Sequence, residues 1–408
     1  MKSFVVPVPV FDKDLAVKAY YFMFKNADNL IVGDQSSTML DGTVNPKSLE
    51  ILNEIGIDTF TLGAPIFVSF SNITLISDFH NQFKLPIKSV VITINESVTD
   101  DDVYLQKILM CRNLGYKFAM HFPTSVYNHQ KVMQAMDYII VSQSIHNKKE
   151  AIKTLEKFQN AIPVAININS YNAFELAKAT NYSLYEGKFY RIPITVGGIK
   201  PPSPLKLLSI RLLNVVNSNN FELDEVADIV GKDVALSVSL LQHINAQTFG
   251  SKIKTIQHAA AMLGQKELRK WVSTAATVQL GDDKPSEINK VSLLRAKFAE
   301  NLAPLFEMSN NAEVLFLMGL FSLIDVMLDL NIEEALDKVS VNDNIRLALV
   351  QYKGIFYPVY EFIKLYEAAD WIGVSRLLIL HNLKVEDVYH AYIESVKWYK
   401  NLITSIEP

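Results

Sequence analysis

Short runs of β-branched and aromatic residues alternate with helix-like segments through the first half of the chain. The runs are apolar on both faces, as in Val90, Val91 and Ile92, and this is typical of strands buried in a parallel sheet. Strand and helix in alternation predict βα units, closed as a barrel or open as a doubly wound sheet. The predicted strands cover residues 4–10, 66–70, 89–94, 117–121, 138–141 and 163–168. The predicted helices of this half cover residues 103–114, 127–134, 149–160 and 173–180.

From residue 203 onward the apolar positions follow helical spacing almost without interruption. Ser203 is suited to an N-cap and Pro204 to the first helical position, and leucines follow at helical intervals. The pattern predicts an all-helical domain with short connections. Its further helices are predicted at residues 223–230, 235–246, 256–263, 266–279, 290–308, 312–328, 332–338, 342–350, 359–369, 371–381 and 385–403.

The two halves are separated by a segment that suits neither a helix nor a central strand. Residues 192–204 contain four prolines and the pair Gly197-Gly198. Proline lacks a backbone donor and interrupts both kinds of element. We therefore expect a domain at residues 1–195, a linker at 196–204 and a helical domain at 205–408.

Composition narrows the classes of protein. Of the 408 residues, 49% are hydrophobic and the net charge is −4, so the chain can bury a core and lacks the bulk positive charge of a typical nucleic-acid binder. Cys111 is the single cysteine, which excludes an internal disulfide. The most apolar run starts at Val314 and meets Asp325 after eleven residues, too short for a membrane span. We expect a cytoplasmic protein with no nucleic-acid partner, no membrane insertion and no leader peptide.

The carboxyl ends of the predicted strands, where parallel βα folds carry their chemistry, contain hardly any acidic residues. Hard divalent cations prefer carboxylate oxygens, and the nearest carboxylate is Glu96, one residue beyond Asn95. The pattern therefore argues against a metal-assisted hydrolase, and no cofactor is predicted. The residues at these ends are Ser69, Thr93, Asn95, His121, Ser142, Asn167 and Asn169.

Residues 3–195 resemble the EAL domain of bacterial cyclic di-GMP signalling, whose active members are phosphodiesterases on a TIM-like barrel. VPVPVFDKDLAVKAYYFMFKN, which we expect to form an opening strand and helix, is similar to the first strand and the Tyr-Glu-Leu-Leu-Phe-Arg segment of that family. IFVSFS, VVITINE, GYKFAMHF, MDYIIVS, AININS and NYSLYEGKFYRIP are similar to its later segments. The framework matches in order and spacing, but most chemical positions differ. Family catalytic or metal-binding residues are replaced at Tyr21, Ser69, Thr93, His121, Ile140, Ile166 and Asn169, Glu186 stands for a glutamine, and Glu96 is retained.

The run that begins at Ser203 resembles an HDOD domain, a relative of the HD phosphohydrolases found in bacterial regulators. HD enzymes hold metal through a His-Asp pair, and none of the eight histidines is followed by Asp. We therefore expect the motif positions to be structural, and the basic residues Lys266, Arg269 and Lys270 to form a solvated face. The motif positions are Asp233, Asn245, Phe249, Gly250, Leu263, Gly264 and Trp271.

Together the two resemblances imply a signal-transduction regulator that has lost its enzymatic residues. The leading hypothesis is a pseudoenzyme that acts through protein–protein interaction in cyclic di-GMP-related pathways. Its partners would be signalling proteins, such as kinases or other components of those pathways. The alternative is a sensor whose barrel binds cyclic di-GMP without cleaving it and relays occupancy to the HDOD domain. An active enzyme is the third hypothesis.

Overall fold

The computed structural model describes residues 3–26, 52, 55–82, 86–143, 153, 155–158, 160–194, 202–218, 220–247 and 252–406. The chain divides into two compact units. The first is Met1–Ile192 together with Leu365–His390, and the second is Pro193–Lys364 together with Ala391–Pro408. The domain boundaries predicted at residues 195 and 205 remain a prediction, and residues 365–390 group with the first unit.

Eight strands close into a barrel in chain order. Strands β2 to β8 run parallel to one another, whereas β1 is antiparallel to both of its neighbours, β2 and β8. The predicted TIM-like barrel is thereby confirmed. The strands are β1 (Ser3–Phe11), β2 (Val17–Asn26), β3 (Ile66–Ser69), β4 (Val90–Ile94), β5 (Lys117–His121), β6 (Tyr138–Ser142), β7 (Ile162–Ile168) and β8 (Leu184–Gly187).

Strand β2 lies where we expected a helix after the first strand, and that expectation is wrong. Asp12 sets the turn before it, because its Oδ1 accepts hydrogen bonds from the amides of Asp14 (2.9 Å) and Ala16 (3.0 Å). The chain then pairs back along β1, and burial along β2 alternates with period two, as in a strand: Tyr20 and Phe22 are buried, whereas Tyr21 is only partly buried.

Six short helices are described around the barrel. Three of them begin within about three residues of a predicted helix. The helix predicted at residues 149–160 lies largely outside the described residues. The helices are α1 (Ile57–Thr61), α2 (Asn72–Ile76), α3 (Phe79–Gln82), α4 (Asp102–Asn113), α5 (Gln130–Gln134) and α6 (Tyr171–Lys178).

The inside of the barrel is filled by side chains from alternate positions of the strands. Successive side chains of a strand point to opposite faces, so the next interior positions toward the carboxyl ends are Tyr21, Ser69, Thr93, His121 and Glu186. These are the residues at the barrel mouth. The filling cluster consists of Val10, Ala19, Phe67, Val91, Ala119, Ile140, Val164 and Ile166, with Tyr21, Tyr138 and Leu184 packed against it.

A bulge in β7 brings that strand close to β8. The pairing register shifts between Ala165 and Ile168, and Asn167 has a left-handed conformation with φ of 62°. Opposite the bulge, Gly187 has φ of 154°, and a Cβ atom there would lie 2.0 Å from the carbonyl oxygen of Ile168. Only glycine fits this position, because any side chain would overlap the neighbouring backbone.

The second unit is helical, and most helices lie within a few residues of their predicted bounds. Helix α10 is interrupted at Gly264, whose φ of 70° is not helical, as the two separate predictions required. The helix predicted at 290–308 ends at Leu302, two residues before Pro304. The helices are α7 (Pro204–Asn217), α8 (Leu223–Val230), α9 (Val234–Gln247), α10 (Ile256–Leu280), α11 (Ser286–Leu302), α12 (Ala312–Phe321), α13 (Ile324–Leu328), α14 (Ile332–Lys338), α15 (Asp343–Val350), α16 (Tyr357–Glu367), α17 (Trp371–Leu380) and α18 (Val385–Ile406).

The single helix predicted at residues 312–328 is two helices, α12 and α13. Between them the Ser322 hydroxyl donates to the carbonyl oxygen of Gly319 (2.6 Å), and Leu323 has a non-helical conformation with φ of −129°. A serine hydroxyl that binds a preceding carbonyl competes with the helical ladder. Among the described residues, no helix is long and apolar enough to cross a membrane.

Candidate functional site

Three of the mouth residues contact one another inside the barrel. The Tyr21 hydroxyl of β2 hydrogen-bonds to the Ser69 hydroxyl at the end of β3. The same Tyr21 oxygen lies 3.3 Å from Nε2 of His121 at the end of β5. Tyr21 thus joins two strand ends that the sequence places 48 and 100 residues away.

Burial keeps this group uncharged at neutral pH. It raises the pKa of Tyr21 to about 12, an effect that the Ser69 hydrogen bond opposes and the nearby Glu186 carboxylate reinforces. Burial also lowers the pKa of His121 to about 4. A neutral imidazole and a neutral phenol can exchange hydrogen bonds, but they supply no positive charge for a phosphate.

The other interior side chains at or below the mouth are mostly apolar or fully buried. Ile140 and Ile166, at positions that the family resemblance assigned to catalytic and metal-binding residues, are 1% and 6% exposed and belong to the barrel core. Thr93 is fully buried, and its hydroxyl has no hydrogen-bond partner. Its strand pairs it with Ser69, so this hydroxyl lies beside the Tyr21 contact.

A residue in the bulge of β7 holds the Glu186 side chain in place. The amide of Asn167 donates to its Oε2 (3.0 Å), and the Asn167 side-chain amide donates to the Ser142 hydroxyl (3.0 Å). Burial raises the pKa of the Glu186 carboxyl, partly offset by the Asn167 amide and by Lys188. The sequence marked Ser142 and Asn167 only as strand ends, because the left-handed turn that aims Asn167 has no signature there.

Glu96 and Asn169 do not join the interior cluster. Both lie beyond the ends of their strands and are exposed. Oε2 of Glu96 accepts hydrogen bonds from the amide (3.0 Å) and hydroxyl of Thr124, and these bonds lower the pKa of the Glu96 carboxyl. The retained family glutamate therefore anchors the loop after β5.

The donor set at the mouth does not fit the divalent metal that EAL phosphodiesterases require. Only His121 and Glu186 among the interior positions belong to the residue types that usually bind such ions, and Mg²⁺ or Ca²⁺ requires several oxygen ligands. Across the residues that the structure describes, no group of three His, Cys, Asp or Glu residues could hold a metal ion. We derive no step through a metal.

In the helical unit, Asp233 and Asn245 bind backbone groups and neighbouring helices. Oδ1 of Asp233 accepts from the Leu236 amide (3.0 Å), and Oδ2 accepts from the side-chain amide of Gln279 (3.0 Å). Burial raises the pKa of the Asp233 carboxyl, but these hydrogen bonds outweigh burial, so its pKa is lowered. Asn245 pairs both its oxygen and its amide with the backbone of Ile253 (2.8 and 3.0 Å).

The other HDOD motif positions differ from one another in burial and in their contacts. Leu263 and Trp271 are partly buried, the ring of Trp271 lies 6.4 Å from that of His243, and Gly264 interrupts α10. Phe249 and Gly250 lie outside the described residues. The assignment of these positions as structural remains a prediction.

The expected solvated basic face is wrong for two of its three residues. Arg269 donates to the carbonyl oxygen of Val216 (2.7 Å) and stacks on Phe221. Lys270 pairs with Glu300 (2.5 Å) and lies over Phe316. Lys266 is exposed. Helix packing decides which of the three side chains are exposed. The sequence shows three basic residues on one helix but does not show their partners.

Comparison with known proteins identifies one of the two domains. Residues 203–342 match the family model for the HDOD domain, and this part of the chain is an HDOD domain. A Bacillus subtilis relative, "Uncharacterized protein YuxH", is 26% identical over 419 residues, with 99% of each chain covered. "Cyclic di-GMP phosphodiesterase CdgJ" of Vibrio cholerae is 24% identical over 342 residues, covering 82% of this chain and 78% of CdgJ.

Solved EAL domains are among the structural neighbours. The EAL domain of Mycobacterium smegmatis DcpA is 14% identical, with a TM-score of 0.35, and the match covers 45% of this chain and 90% of that one. The fold class expected from the sequence, a TIM-like barrel followed by a helical region with an HDOD domain, is confirmed.

Proposed function

We propose that the protein is a non-catalytic regulator in cyclic di-GMP-related signalling and that it acts through protein–protein interaction. One observation carries the proposal: at the barrel mouth the Tyr21 phenol is bonded to Ser69 and lies close to His121, where an EAL phosphodiesterase would need carboxylates for metal. Among the residues that the structure describes, no group could hold a metal ion to activate water against a phosphodiester.

The link to cyclic di-GMP is supported by the relative in Vibrio cholerae named as a cyclic di-GMP phosphodiesterase, which aligns over 82% of this chain. The HDOD domain supplies a helical surface, and helical grooves commonly receive partner helices. We place the output in this domain and the protein in the cytoplasm. Cell fractionation tests the location, and capture of the full chain from its native cell tests for signalling proteins such as kinases.

The second candidate is a sensor that binds cyclic di-GMP without cleaving it. The buried Thr93 hydroxyl, which has no partner beside the Tyr21 contact, favours it because an unpaired buried hydroxyl can be satisfied by a ligand or water. The low pKa of His121 disfavours it, because a neutral imidazole does not offset phosphate charge.

Hydrolysis and binding are measured separately. The full chain is incubated with cyclic di-GMP and Mg²⁺ or Mn²⁺, with CdgJ as the positive control, and the linear product is separated by chromatography. We expect no turnover; turnover that a chelator abolishes would overturn the proposal. Titration calorimetry with the same nucleotide distinguishes the two candidates, since micromolar affinity would favour the sensor.

A further inference from the structure

Six strands of the barrel each place one polar side chain above the apolar filling. Each of these residues follows, by two positions, a residue that fills the barrel or packs against the filling, as Thr93 follows Val91 and His121 follows Ala119. Alternation along a strand therefore directs all six side chains to the interior. This set, here called the polar ring, consists of Tyr21, Ser69, Thr93, His121, Ser142 and Glu186.

The polar ring lies deep in the barrel but is not sealed from solvent. The side chains of Tyr21, His121 and Glu186 point into the barrel, and burial shifts the pKa of all three groups. Each of the three residues nevertheless keeps part of its surface accessible. Side chains that are surrounded by protein and still touch solvent line a concave site. The carboxyl ends of barrel strands are a usual place for such sites, and small ligands bind there.

Two members of the polar ring have hydrogen-bonding capacity that the described residues do not use. Thr93 is fully buried, and its hydroxyl has no partner in the described part of the chain. Oε2 of Glu186 accepts from the Asn167 amide (3.0 Å), whereas Oε1 has no hydrogen bond to a described residue. A buried polar atom without a partner costs free energy, and a ligand or a water molecule can supply the missing bond.

The charge of the polar ring narrows the class of ligand. Burial lowers the pKa of His121 to about 4 and raises that of Tyr21 to about 12, so both are neutral at pH 7. Burial also raises the pKa of the Glu186 carboxyl and thus favours its neutral form. A phosphate would lose its hydration here without gaining a cation, and an apolar molecule would leave the polar atoms unpaired. Neither class suits the ring.

We propose that the polar ring binds a small uncharged molecule rich in hydroxyl groups, such as a polyol or a monosaccharide. A hydroxyl group both donates and accepts hydrogen bonds, and so do the hydroxyls of Ser69 and Thr93 and the neutral imidazole of His121. Ligand and site can therefore satisfy one another without a charge on either side. This site goes beyond the proposed function and does not depend on how the regulator acts.

Titration calorimetry of the full chain with matched probes tests the class of ligand. The probes are glucose, a glucose phosphate and glucosamine, with myo-inositol and an inositol monophosphate as a second series. We expect at least one uncharged probe to bind about tenfold more tightly than its charged counterparts, because the ring cannot offset their charge. Equal or tighter binding of a phosphorylated probe would overturn the proposal. Failure of both uncharged probes to bind at millimolar concentration would also overturn it.

Thr93→Val tests the place of binding, because it removes the unpaired hydroxyl and keeps the shape of the side chain. We expect the affinity for the bound probe to fall about fivefold, as for the loss of one hydrogen bond, and Thr93→Ser to retain it. The matched control is Thr61→Val on α1, which removes another buried hydroxyl of the barrel unit, bonded to the Ile57 carbonyl oxygen (3.2 Å). The control should leave the affinity unchanged.

The NMR signals of the His121 imidazole should move when the probe is added. Signals that stay in place, or equal losses of affinity for Thr93→Val and Thr61→Val, would put the probe elsewhere and contradict the proposal. A chain that binds cyclic di-GMP but neither uncharged probe would contradict it as well. Hydrolysis and partner capture play no part in these measurements, so failure of this site is distinguishable from failure of the proposed function.

Discussion

At the barrel mouth, buried polar side chains contact one another: Tyr21 binds Ser69 and lies near His121. In the helical unit, the polar residues at family motif positions bind backbone and helix termini: Asp233 accepts from the Leu236 amide, and Asn245 holds both polar groups of Ile253. The two regions therefore use polar side chains differently. In the barrel these side chains contact one another inside the mouth, whereas the helical unit uses them to join its helices.

The difference also appears in charge. His121 is held neutral by burial, which lowers its pKa, and Glu186 is shifted toward its neutral form by a raised pKa. Asp233 is held ionised by hydrogen bonds that outweigh burial. Hydrogen-bond donors directed at a buried carboxyl favour its charged form, whereas burial among hydroxyls and apolar side chains favours the neutral form. The two regions should therefore respond differently to substitution and to pH.

The largest expected effect is on barrel closure. Gly187→Ala places a Cβ 2.0 Å from the Ile168 carbonyl oxygen, so the β7–β8 contact must open, at a cost of about 3 kcal/mol or more in the free energy of unfolding. Gly63→Ala is the control: its φ is 91° but nothing lies within 4 Å, so only backbone strain of about 1 kcal/mol applies. Denaturant unfolding measures both, and equal losses would mean that the bulge does not constrain closure.

His121 should make stability depend on pH. Its pKa is about 4 in the folded chain, against 6.5 as the ordinary value. The unfolded state therefore takes up a proton first as pH falls, and stability is lost between pH 6.5 and 4, by about 2 kcal/mol after allowance for partial exposure. Comparison of the wild type with His121→Phe at pH 7 and pH 4.5 isolates this loss. A wild-type imidazole that titrates near 6.5 by NMR would contradict it.

Replacing the carboxyl of Glu186 or of Asp233 by an amide should change the free energy of unfolding in opposite directions. The raised pKa of Glu186 means that its ionised form destabilises the fold at neutral pH, so Glu186→Gln should raise stability by about 1 kcal/mol. The lowered pKa of Asp233 contributes stability above its unfolded pKa that is lost as pH falls through the folded value, so Asp233→Asn should lower stability at pH 7 by about 1 kcal/mol. Thermal unfolding at pH 7 compares them; the same sign for both would break the contrast between the regions.

The smallest expected effect is that of Tyr21→Phe. It removes one hydroxyl from the contact with Ser69 and His121 and keeps the ring, so the loss should be below about 1 kcal/mol, because the two partners can still bond to water or to each other. The pKa of His121 should rise toward its ordinary value if water enters the mouth. Chemical denaturation and NMR titration measure these changes, and a loss above about 3 kcal/mol would show that the phenol supports the whole barrel.

The elements that were predicted well are those whose local pattern and packing agree. Helices α8 and α14 match their predicted bounds, and the break at Gly264 follows from glycine between two apolar-periodic runs. Strand β2 was missed because its aromatic residues suit a strand buried on both faces as well as a helix, and only the turn at Asp12 and pairing with β1 decide between them. Strand β8 was missed because Glu186 and Gly187 interrupt its apolar pattern, whereas the equally short β3 is a continuous apolar run up to Ser69.

Some features of the candidate site could likewise be predicted from the sequence, and others could not. Which residue types stand at the strand ends, and hence the scarcity of carboxylates there, could be predicted from the sequence because βα order alone places strand ends at one rim. Whether those residues meet could not. Glu96 lies outside the interior and Tyr21 spans two strand ends because strand stagger and side-chain direction come from closure of the barrel.

The sequence by itself determined most of the order of strands and helices, the HDOD match and the scarcity of metal-binding residue types at the mouth, because these depend on local patterns and residue identity. Tertiary structure alone decided that Tyr21 reaches both Ser69 and His121, that Arg269 and Lys270 turn inward, and that residues 365–390 join the barrel unit. Such contacts join positions far apart in the chain, and their free energy depends on burial and geometry that arise only after folding.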